Sequence, residues 1–169
     1  MLRHVDDGDL PVMRRWRNHP KVRAASFTTH EIGEDEHARW WAGVRTDPAR
    51  QVLVYEHGGI ASGVVTFSGL APGAPIAHWG FYLDLDRLEH SGELLAAWFG
   101  LERAAIRHAF GPLGLTTLRG EVLAANKPVR LLHSRFGFTE IGGYRRLLDG
   151  ESVDVVLIEF TRAARRDES

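Results

Sequence analysis

The longest apolar pattern in the chain predicts a helix from Glu93 to Phe110. Apolar side chains recur there every three or four positions and share one broad face: Leu94, Leu95, Trp98, Phe99, Leu101, Ala105, Ile106, Ala109 and Phe110. Gly111 ends this helix. Before it, Ile76 to Leu83 is a short run of bulky residues that follows several prolines and glycines, which predicts a mostly buried strand. This strand and helix are the centre of the predicted structure.

The remaining pattern predicts further helices and strands on both sides of this centre. Helices are expected over Asp9 to Asn18, Gly33 to Val44 and Asn126 to Arg135. Strands are expected over Gln51 to His57, Ile60 to Ser68, Leu115 to Ala124, Phe138 to Leu148 and Ser152 to Phe160. Gly58-Gly59 and Asp149-Gly150 predict tight hairpin turns. The long helix connects the strands at 76–83 and 115–124, so these two strands should be parallel.

Length and composition favour a single domain, residues 1–169, with a frayed tail at residues 162–169. The 169 residues carry a formal net charge of −1, and basic residues alternate with acidic ones, which argues against a nucleic acid partner. Cysteine is absent and the nine histidines form no HExxH pair, so no metal site is predicted. The N-terminus has no long apolar run. We therefore expect a cytoplasmic protein with no membrane partner.

The segment from Arg87 to Gly92 is predicted to be a loop that enters the long helix. The first N–H groups of a helix have no partner within it, and the helix dipole adds positive potential, so such a loop can bind a phosphate or pyrophosphate. Gly92 would let the backbone approach a ligand closely. The alternative is a simple connection in which Ser91 caps the helix.

The order of these elements, together with two motifs, resembles the GCN5-related N-acetyltransferases (GNAT) over nearly the whole chain. The first motif is the loop, where Arg87, His90 and Gly92 match the family spacing, with His90 in place of the first glycine. The second runs from Asn126 to Phe138 and ends in Gly137-Phe138. The resemblance implies an α/β (mixed α+β) fold: a central twisted mixed sheet of about six to seven strands, flanked by about four helices and splayed between two parallel central strands.

The resemblance also implies acetyl-CoA as cosubstrate, no metal, and a primary amine on a small molecule as acceptor. The residues expected to bind acetyl-CoA are Phe81, Tyr82, Leu83, Arg87, Leu88, Glu89, His90, Ser91, Gly92, Glu93 and Asn126. The backbone near Tyr82 and Leu83 would hold the thioester carbonyl and the oxyanion that follows from it. Arg87 would contribute charge or orient the loop.

Proton transfer needs an acid for the departing thiolate and, depending on the amine, a base. His133 stands where many family members have a tyrosine near the thioester sulfur, and it is the first candidate for the acid, with Tyr82 second. His78 and Glu121 are the candidate bases, since alternation places His78 on the same side as Tyr82. The structural alternative for His133 is a packed histidine at a helix end. The structural alternative for Glu121 is a carboxylate that faces solvent.

The acceptor should be recognised by the first two helices and the segment between them. Its candidate contacts are Arg17, Asn18, Thr28, Thr29, His30, Trp40 and Trp41, of which the tryptophans can equally be core or groove wall. Trp16 to Arg23, Glu36-His37, Gly80 to Leu83 and Leu132-His133 further resemble the enzymes that acetylate the 4-amino group of a UDP-linked amino sugar in pseudaminic acid synthesis. The acceptor would then be a nucleotide-sugar.

Two other functions stay open at this point. One is acetylation of protein N-termini or of another small amine, such as an antibiotic. The other is a non-catalytic acyl-CoA-binding regulatory domain, which His90 in place of glycine and the absence of an unambiguous base would suit. The resemblance also allows a homodimer.

Overall fold

The computed structural model describes residues 1–162 and is built on one sheet of seven strands. The strands are β1 (Leu2–His4), β2 (Arg50–His57), β3 (Ile60–Ser68), β4 (Ile76–Leu83), β5 (Thr117–Leu123), β6 (Thr139–Leu148) and β7 (Glu151–Thr161). Their order in the sheet is β1-β2-β3-β4-β5-β7-β6. Within residues 1–162, β4 and β5 are the parallel pair and the other neighbours are antiparallel. The predicted mixed α/β fold with a central parallel pair is confirmed.

Helices cover both faces of this sheet. They are α1 (Leu10–Arg17), α2 (Pro20–Ala24), α3 (Glu34–Val44), α4 (Leu85–Ser91), α5 (Leu94–Phe110) and α6 (Lys127–Arg135). The larger apolar cluster joins the sheet to α5 through residues such as Phe67, Leu101 and Leu118. A smaller cluster on the opposite face joins it to α1 and α3 through Met13 and Val44. In the described part of the chain, no helix is long and apolar enough to cross a membrane.

Besides a short 3₁₀ helix at Asp7–Asp9, one strand and two α-helices were not predicted, so the described residues contain six α-helices instead of about four. β1 is only three residues long and is held by pairing with β2, a contact that leaves no pattern in the sequence. α2 begins at Pro20, just beyond the predicted end of the first helix, and proline is tolerated in a first helical turn. α4 replaces most of the loop predicted at Arg87 to Gly92.

The parallel strands separate soon after they begin. β4 and β5 pair through Ile76 with Thr117, Ala77 with Leu118 and His78 with Arg119. Beyond that point β4 stays paired with β3, and β5 stays paired with β7. The predicted splay is therefore present, and it opens at the carboxyl ends of both strands.

The predicted tail from residue 162 onward lies outside the described residues, except for Arg162. The backbone N–H of Arg162 donates to the carbonyl of Thr116 at 2.9 Å. This residue therefore extends the antiparallel pairing of β7 with β5 by one more contact.

Gly63 allows β3 and β4 to lie close together. A Cβ at this position would lie 2.6 Å from the backbone oxygen of Tyr82 and 2.9 Å from Leu83 Cδ2, closer than van der Waals contact allows. We expect Gly63→Ala to lower the free energy of unfolding by about 1–3 kcal/mol, the usual cost of overpacking. Denaturant unfolding followed by circular dichroism measures this change.

Gly43→Ala is the matched control, because a Cβ there meets no atom within 4 Å on α3. That substitution should raise stability by about 0.5–1 kcal/mol through helix propensity. Equal stability of the two variants would contradict the close approach of β3 and β4.

Candidate active site

A cleft of about 490 Å³ occupies the opening between β4 and β5. Its walls come from β4, β5, α2, α4, α6 and the first turn of α5. Of the predicted site residues it is lined by Phe81, Tyr82, Leu83, Glu89, Glu121, Asn126 and His133. A wider groove of about 990 Å³ lies elsewhere and includes only Trp41 from that prediction. The smaller cleft is therefore the candidate site, because the predicted chemistry converges there.

The backbone of β4 presents unpaired groups to this cleft at alternate residues. The N–H of Asp84 donates to the carbonyl of Ser62 at 2.8 Å, which makes this a hydrogen-bonded pair of the antiparallel ladder. By alternation, the backbone groups of Tyr82 and Gly80 face β3, whereas those of Phe81 and Leu83 face the cleft. The N–H of Tyr82 itself therefore faces β3, and its neighbours Phe81 and Leu83 supply the cleft-facing groups.

His133 is buried beside the cleft and is held by a carboxylate. Its Nδ1 lies 2.6 Å from Glu102 Oε1, and the side chains of the two residues are only 4% and 0% exposed. The rings of Trp79, Phe81 and Phe138 pack around the imidazole, with centroid distances of 5.5, 6.0 and 5.3 Å. Burial raises the pKa of the Glu102 carboxyl above its ordinary value, although its hydrogen bond with His133 opposes that rise.

The other predicted acid, Tyr82, and the two predicted bases, Glu121 and His78, have different positions relative to the cleft. Tyr82 points its ring to the opposite face of β4 from His133, against the smaller apolar cluster, and burial raises its pKa further above the ordinary value. Glu121 lines the cleft and accepts a hydrogen bond from Tyr144 at 3.0 Å. His78 is exposed at the last position of β4 that pairs with β5, and it does not line the cleft. The structure thus brings Glu121, but not His78, to the candidate site.

The segment predicted as a pyrophosphate loop is largely helical, because both of its ends are capped. Asp84 accepts a hydrogen bond from the N–H of Arg87 at the start of α4, and Gly92 ends it in the left-handed region with φ 73°. The N–H groups of Leu88, Gly92 and Glu93 donate to backbone carbonyls of the same segment. Glu89, His90 and Ser91 lie within α4. The prediction that these N–H groups are free for an anion is therefore wrong.

Free donors lie slightly further along the chain, at the start of α5. The N–H of Ala97 donates to the carbonyl of Glu93 at 2.8 Å, and Glu93 offers no side-chain cap. The N–H groups of Leu94, Leu95 and Ala96 have no acceptor among residues 1–162. The first turn of α5, about two residues beyond the predicted loop, is thus the helix terminus whose N–H groups have no acceptor in the described part of the chain.

Arg87 and Asn126 have different surroundings. The guanidinium of Arg87 contacts the carboxylate of Asp84 at 3.3 Å and also donates to the hydroxyl of Ser62, so it fastens α4 to β3. Asn126 precedes α6 and lines the cleft, and its side chain makes no capping hydrogen bond. The contacts of Arg87 favour the orienting role, and Asn126 is available for a ligand.

The segment expected to contact the acceptor is partly used for structure. Asn18 exchanges two hydrogen bonds with the backbone of Ile32, at 2.8 and 2.7 Å. Thr29 donates to the carboxylate of Asp149 at 2.7 Å, and His30 contacts Glu36 at 2.7 Å. These hydrogen bonds fix the chain between α2 and α3. Of the predicted acceptor contacts, Arg17 has a buried hydrogen-bond donor that is unused among the described residues.

Arg17 is half-buried near Tyr82, which lines the cleft, although Arg17 itself is not one of the lining residues. Its Nη2 donates to the carbonyl of Thr28 at 3.1 Å, whereas its Nη1 is buried with no partner among the described residues. Burial lowers the pKa of its guanidinium, and the neighbouring cation Arg23 acts in the same direction. A buried cation with an unused donor is a site that an anionic group would complete.

Trp40 and Trp41 pack against the smaller apolar cluster and do not line the cleft. Trp40 stacks on His37 with a centroid distance of 5.1 Å, and Arg45 lies 5.9 Å from the centre of the Trp41 ring. Their placement agrees with the interpretation as core and groove wall.

Sequence reasoning missed two contributions to the cleft. Glu102 is a carboxylate between Leu101 and Ala105 on the apolar face of the long helix, a visible exception to the pattern. Lys21, Val22, Ala25 and Ser26 line the cleft because α2 turns toward it. The second contribution was missed because no helix was predicted between Asn18 and Gly33.

Comparison with known proteins identifies the family to which this chain belongs. The model of the acetyltransferase (GNAT) domain family matches residues 1–139. No curated protein matches the chain significantly.

Solved structures share the fold across nearly the whole chain. Spermidine N-acetyltransferase from Vibrio cholerae in complex with CoA and spermine has a TM-score of 0.83 and 21% identity, covering 97% of this chain and 96% of that one. A protein assigned as a phosphinothricin N-acetyltransferase has a TM-score of 0.75 and 21% identity, covering 95% and 97%. At this level of identity the likeness shows the common fold.

Replacing Arg87 distinguishes its two predicted roles, which are to contribute charge to acetyl-CoA binding or to orient the segment before α5. Arg87→Met keeps the length of the side chain but removes the hydrogen bonds to Asp84 and Ser62. We expect unfolding free energy to fall by about 1–2 kcal/mol, because a charge-assisted hydrogen bond is lost and buried partners are left unpaired. Thermal unfolding and acetyl-CoA titration of the same samples measure stability and binding.

Arg107→Met on the exposed side of α5 is the matched control and should leave both quantities nearly unchanged. Unchanged stability with a large loss of acetyl-CoA affinity in Arg87→Met would contradict the orienting role.

Proposed function

We propose that this chain, which belongs to the GNAT acetyltransferase family, acetylates a primary amine on a small molecule that also carries an anionic group, such as a nucleotide-linked amino sugar. Family membership gives the reaction, acetyl-CoA-dependent N-acetylation of an amine. The character of the acceptor is the proposed part, and the single observation that carries it is the unpaired buried nitrogen of Arg17.

The charges around the acceptor side of the cleft favour an anion. Arg23 lies close enough to Arg17 to lower its pKa, and both guanidinium groups donate to backbone carbonyls instead of contacting a carboxylate within the described residues. The carboxylates of the cleft wall are already engaged: Glu89 contacts Lys21 at 2.9 Å and Glu121 accepts from Tyr144 at 3.0 Å. A phosphate beside Arg17 would offset the cost of burying the guanidinium.

Acetyl-CoA has suitable contacts on the other side of the cleft. The N–H groups of Leu94, Leu95 and Ala96 would bind its pyrophosphate, and Asn126 would contact the pantetheine arm. The cleft-facing N–H groups of Phe81 and Leu83 would hold the thioester carbonyl and stabilise the oxyanion that forms on it. The backbone donors belong to β4 and to the first turn of α5.

The reaction would then be direct. The neutral amine attacks the thioester carbon, and the carbonyl oxygen becomes an oxyanion. The carbonyl then re-forms as the C–S bond breaks. Glu121 or water takes the proton that the amine loses, and His133 gives a proton to the departing sulfur. Glu121 and His133 both line the cleft.

A cationic acceptor is the second candidate, because the fold is shared with spermidine and spermine N-acetyltransferases. A polyamine would need Glu89 and Glu121 to leave their present partners, Lys21 and Tyr144. Acetylation of peptide N-termini or antibiotics, and acyl-CoA binding without catalysis, are the remaining alternatives, which the same assay distinguishes.

Thiol release from titrated acetyl-CoA should identify the acceptor class. The panel contains UDP-linked 4-amino sugars, simple amino sugars, spermidine, aminoglycosides and short peptides. We expect an anionic amine to have the highest kcat/KM and Arg17→Gln to raise its KM about tenfold or more, as expected for loss of a charge-assisted hydrogen bond.

Arg15→Gln is the matched control, because Arg15 lies on the exposed side of α1. It should leave KM unchanged. Preference for spermidine, with Arg17→Gln lowering its KM, would support the cationic acceptor instead. Tight acetyl-CoA binding without turnover of any amine would favour the regulatory alternative.

The start of α5 can be tested by a charge that affects binding and stability in opposite directions. Ala96 is exposed in the first turn. Ala96→Glu should raise stability by about 0.3–1 kcal/mol through the helix dipole, yet weaken acetyl-CoA binding by repelling the pyrophosphate. Calorimetric titration and thermal unfolding measure the two effects. Ala96→Gln, of equal size without the charge, is the control; equal affinity of the two variants would place the pyrophosphate elsewhere.

A further inference from the structure

Building on the proposed function, we infer that Glu102 is a positioning residue that fixes the imidazole of His133 as the proton donor to the departing thiolate. The buried contact of Glu102 on α5 with His133 on α6 lies behind the cleft wall and supports this role.

The contact leaves one ring nitrogen for the cleft. Glu102 Oε1 occupies Nδ1 of His133 at 2.6 Å, so Nε2 is the nitrogen available to a ligand in the cleft that His133 lines. An ionised carboxylate accepts hydrogen bonds and cannot donate them, so an ionised Glu102 requires the proton of this contact to be on Nδ1. The tautomer and the ring orientation are therefore set together.

Apolar aromatic side chains surround the imidazole of His133 and limit its motion. Trp79 and Phe81 from β4 and Phe138 after α6 pack against the ring, and none of these side chains titrates. Glu102 is thus the charged group that faces the imidazole within the described residues. An imidazolium in such apolar surroundings needs a nearby anion, which the carboxylate supplies.

Stability alone does not account for the carboxylate. Glu102 is fully buried, and its Oε2 has no hydrogen-bond partner among the described residues. A buried ion pair often contributes less to stability than apolar side chains of similar volume, and an unpaired oxygen adds a further cost. A leucine would suit the face shared with Leu101 and Ala105, so the acidic group points to a chemical role.

The proton transfer balances with the groups present. As the C–S bond of the tetrahedral intermediate breaks, its electron pair goes to sulfur and takes the proton from Nε2, giving the thiol of CoA. The imidazolium becomes neutral imidazole and keeps Nδ1–H on Glu102. The proton lost by the amine goes to Glu121 or water, and water returns a proton to Nε2 before the next cycle.

The test uses two acetyl donors that differ in the acidity of the thiol. With acetyl-CoA, Glu102→Gln and His133→Ala should each lower kcat about a hundredfold, within the usual range for general acid catalysis. Acetyl-CoA affinity should stay nearly unchanged. With the acetyl thioester of thionitrobenzoate, whose thiolate leaves without help, the same substitutions should lower kcat/KM only about twofold.

Glu140→Gln is the matched control, since Glu140 contacts Arg130 of α6 at 2.7 Å but is exposed on β6. It removes a carboxylate that holds the same helix and should leave both donors nearly unaffected. A merely structural role of Glu102 would lower the rates with the two donors equally, and this result would overturn the inference.

Nuclear magnetic resonance gives a readout that does not depend on activity. In protein with ¹⁵N-labelled histidine, the Nδ1 proton of His133 should resonate far downfield because of its short bond to a carboxylate. This resonance should be absent in both His133→Ala and Glu102→Gln. Its persistence in Glu102→Gln would overturn the inference, whereas a wild-type protein that shows it but acetylates no amine would refute the proposed function and leave the buried contact intact.

Discussion

The early separation of β4 and β5 is the constraint on which the rest of the site depends. Each strand keeps a full antiparallel partner on its outer side, so the sheet tolerates the loss of pairing after His78 and Arg119. The inner backbone groups of Phe81 and Leu83 are left without a strand partner, and such groups need a hydrogen bond when water is excluded. The incomplete ladder therefore creates a binding edge within an otherwise regular sheet.

Alternation along β4 divides the site into two sides. Trp79 and Phe81 point to α5 and α6, where they enclose His133, whereas Tyr82 points to α1, where Arg17 lies. The proposed donor chemistry and the proposed acceptor recognition thus lie on opposite faces of one strand. Because successive side chains on a strand alternate, a single backbone segment can serve both sides of the cleft.

The sequence predicted the elements that have a repeating pattern or a turn motif. It did not predict the elements that form because of a single tertiary contact or cap. The apolar stripe of α5 and the turns at Gly58-Gly59 and Asp149-Gly150 predicted the helix and both hairpins. β1 depends on pairing with β2, and α4 depends on Asp84 and Gly92 at its ends, so neither left a repeating signal. His78 was assigned to the correct strand but lies too early along it to reach the cleft.

Glu102 shows how a deviation from a pattern can carry more information than the pattern. The apolar face of α5 predicts only that the helix packs on the sheet, and any apolar residue at 102 would satisfy it. An acidic residue there must find a partner or pay a large desolvation cost, and the partner it finds is His133 on the next helix. The carboxylate therefore couples α5 to α6 at the cleft wall, and the helix that builds the core also orients a residue of the candidate site.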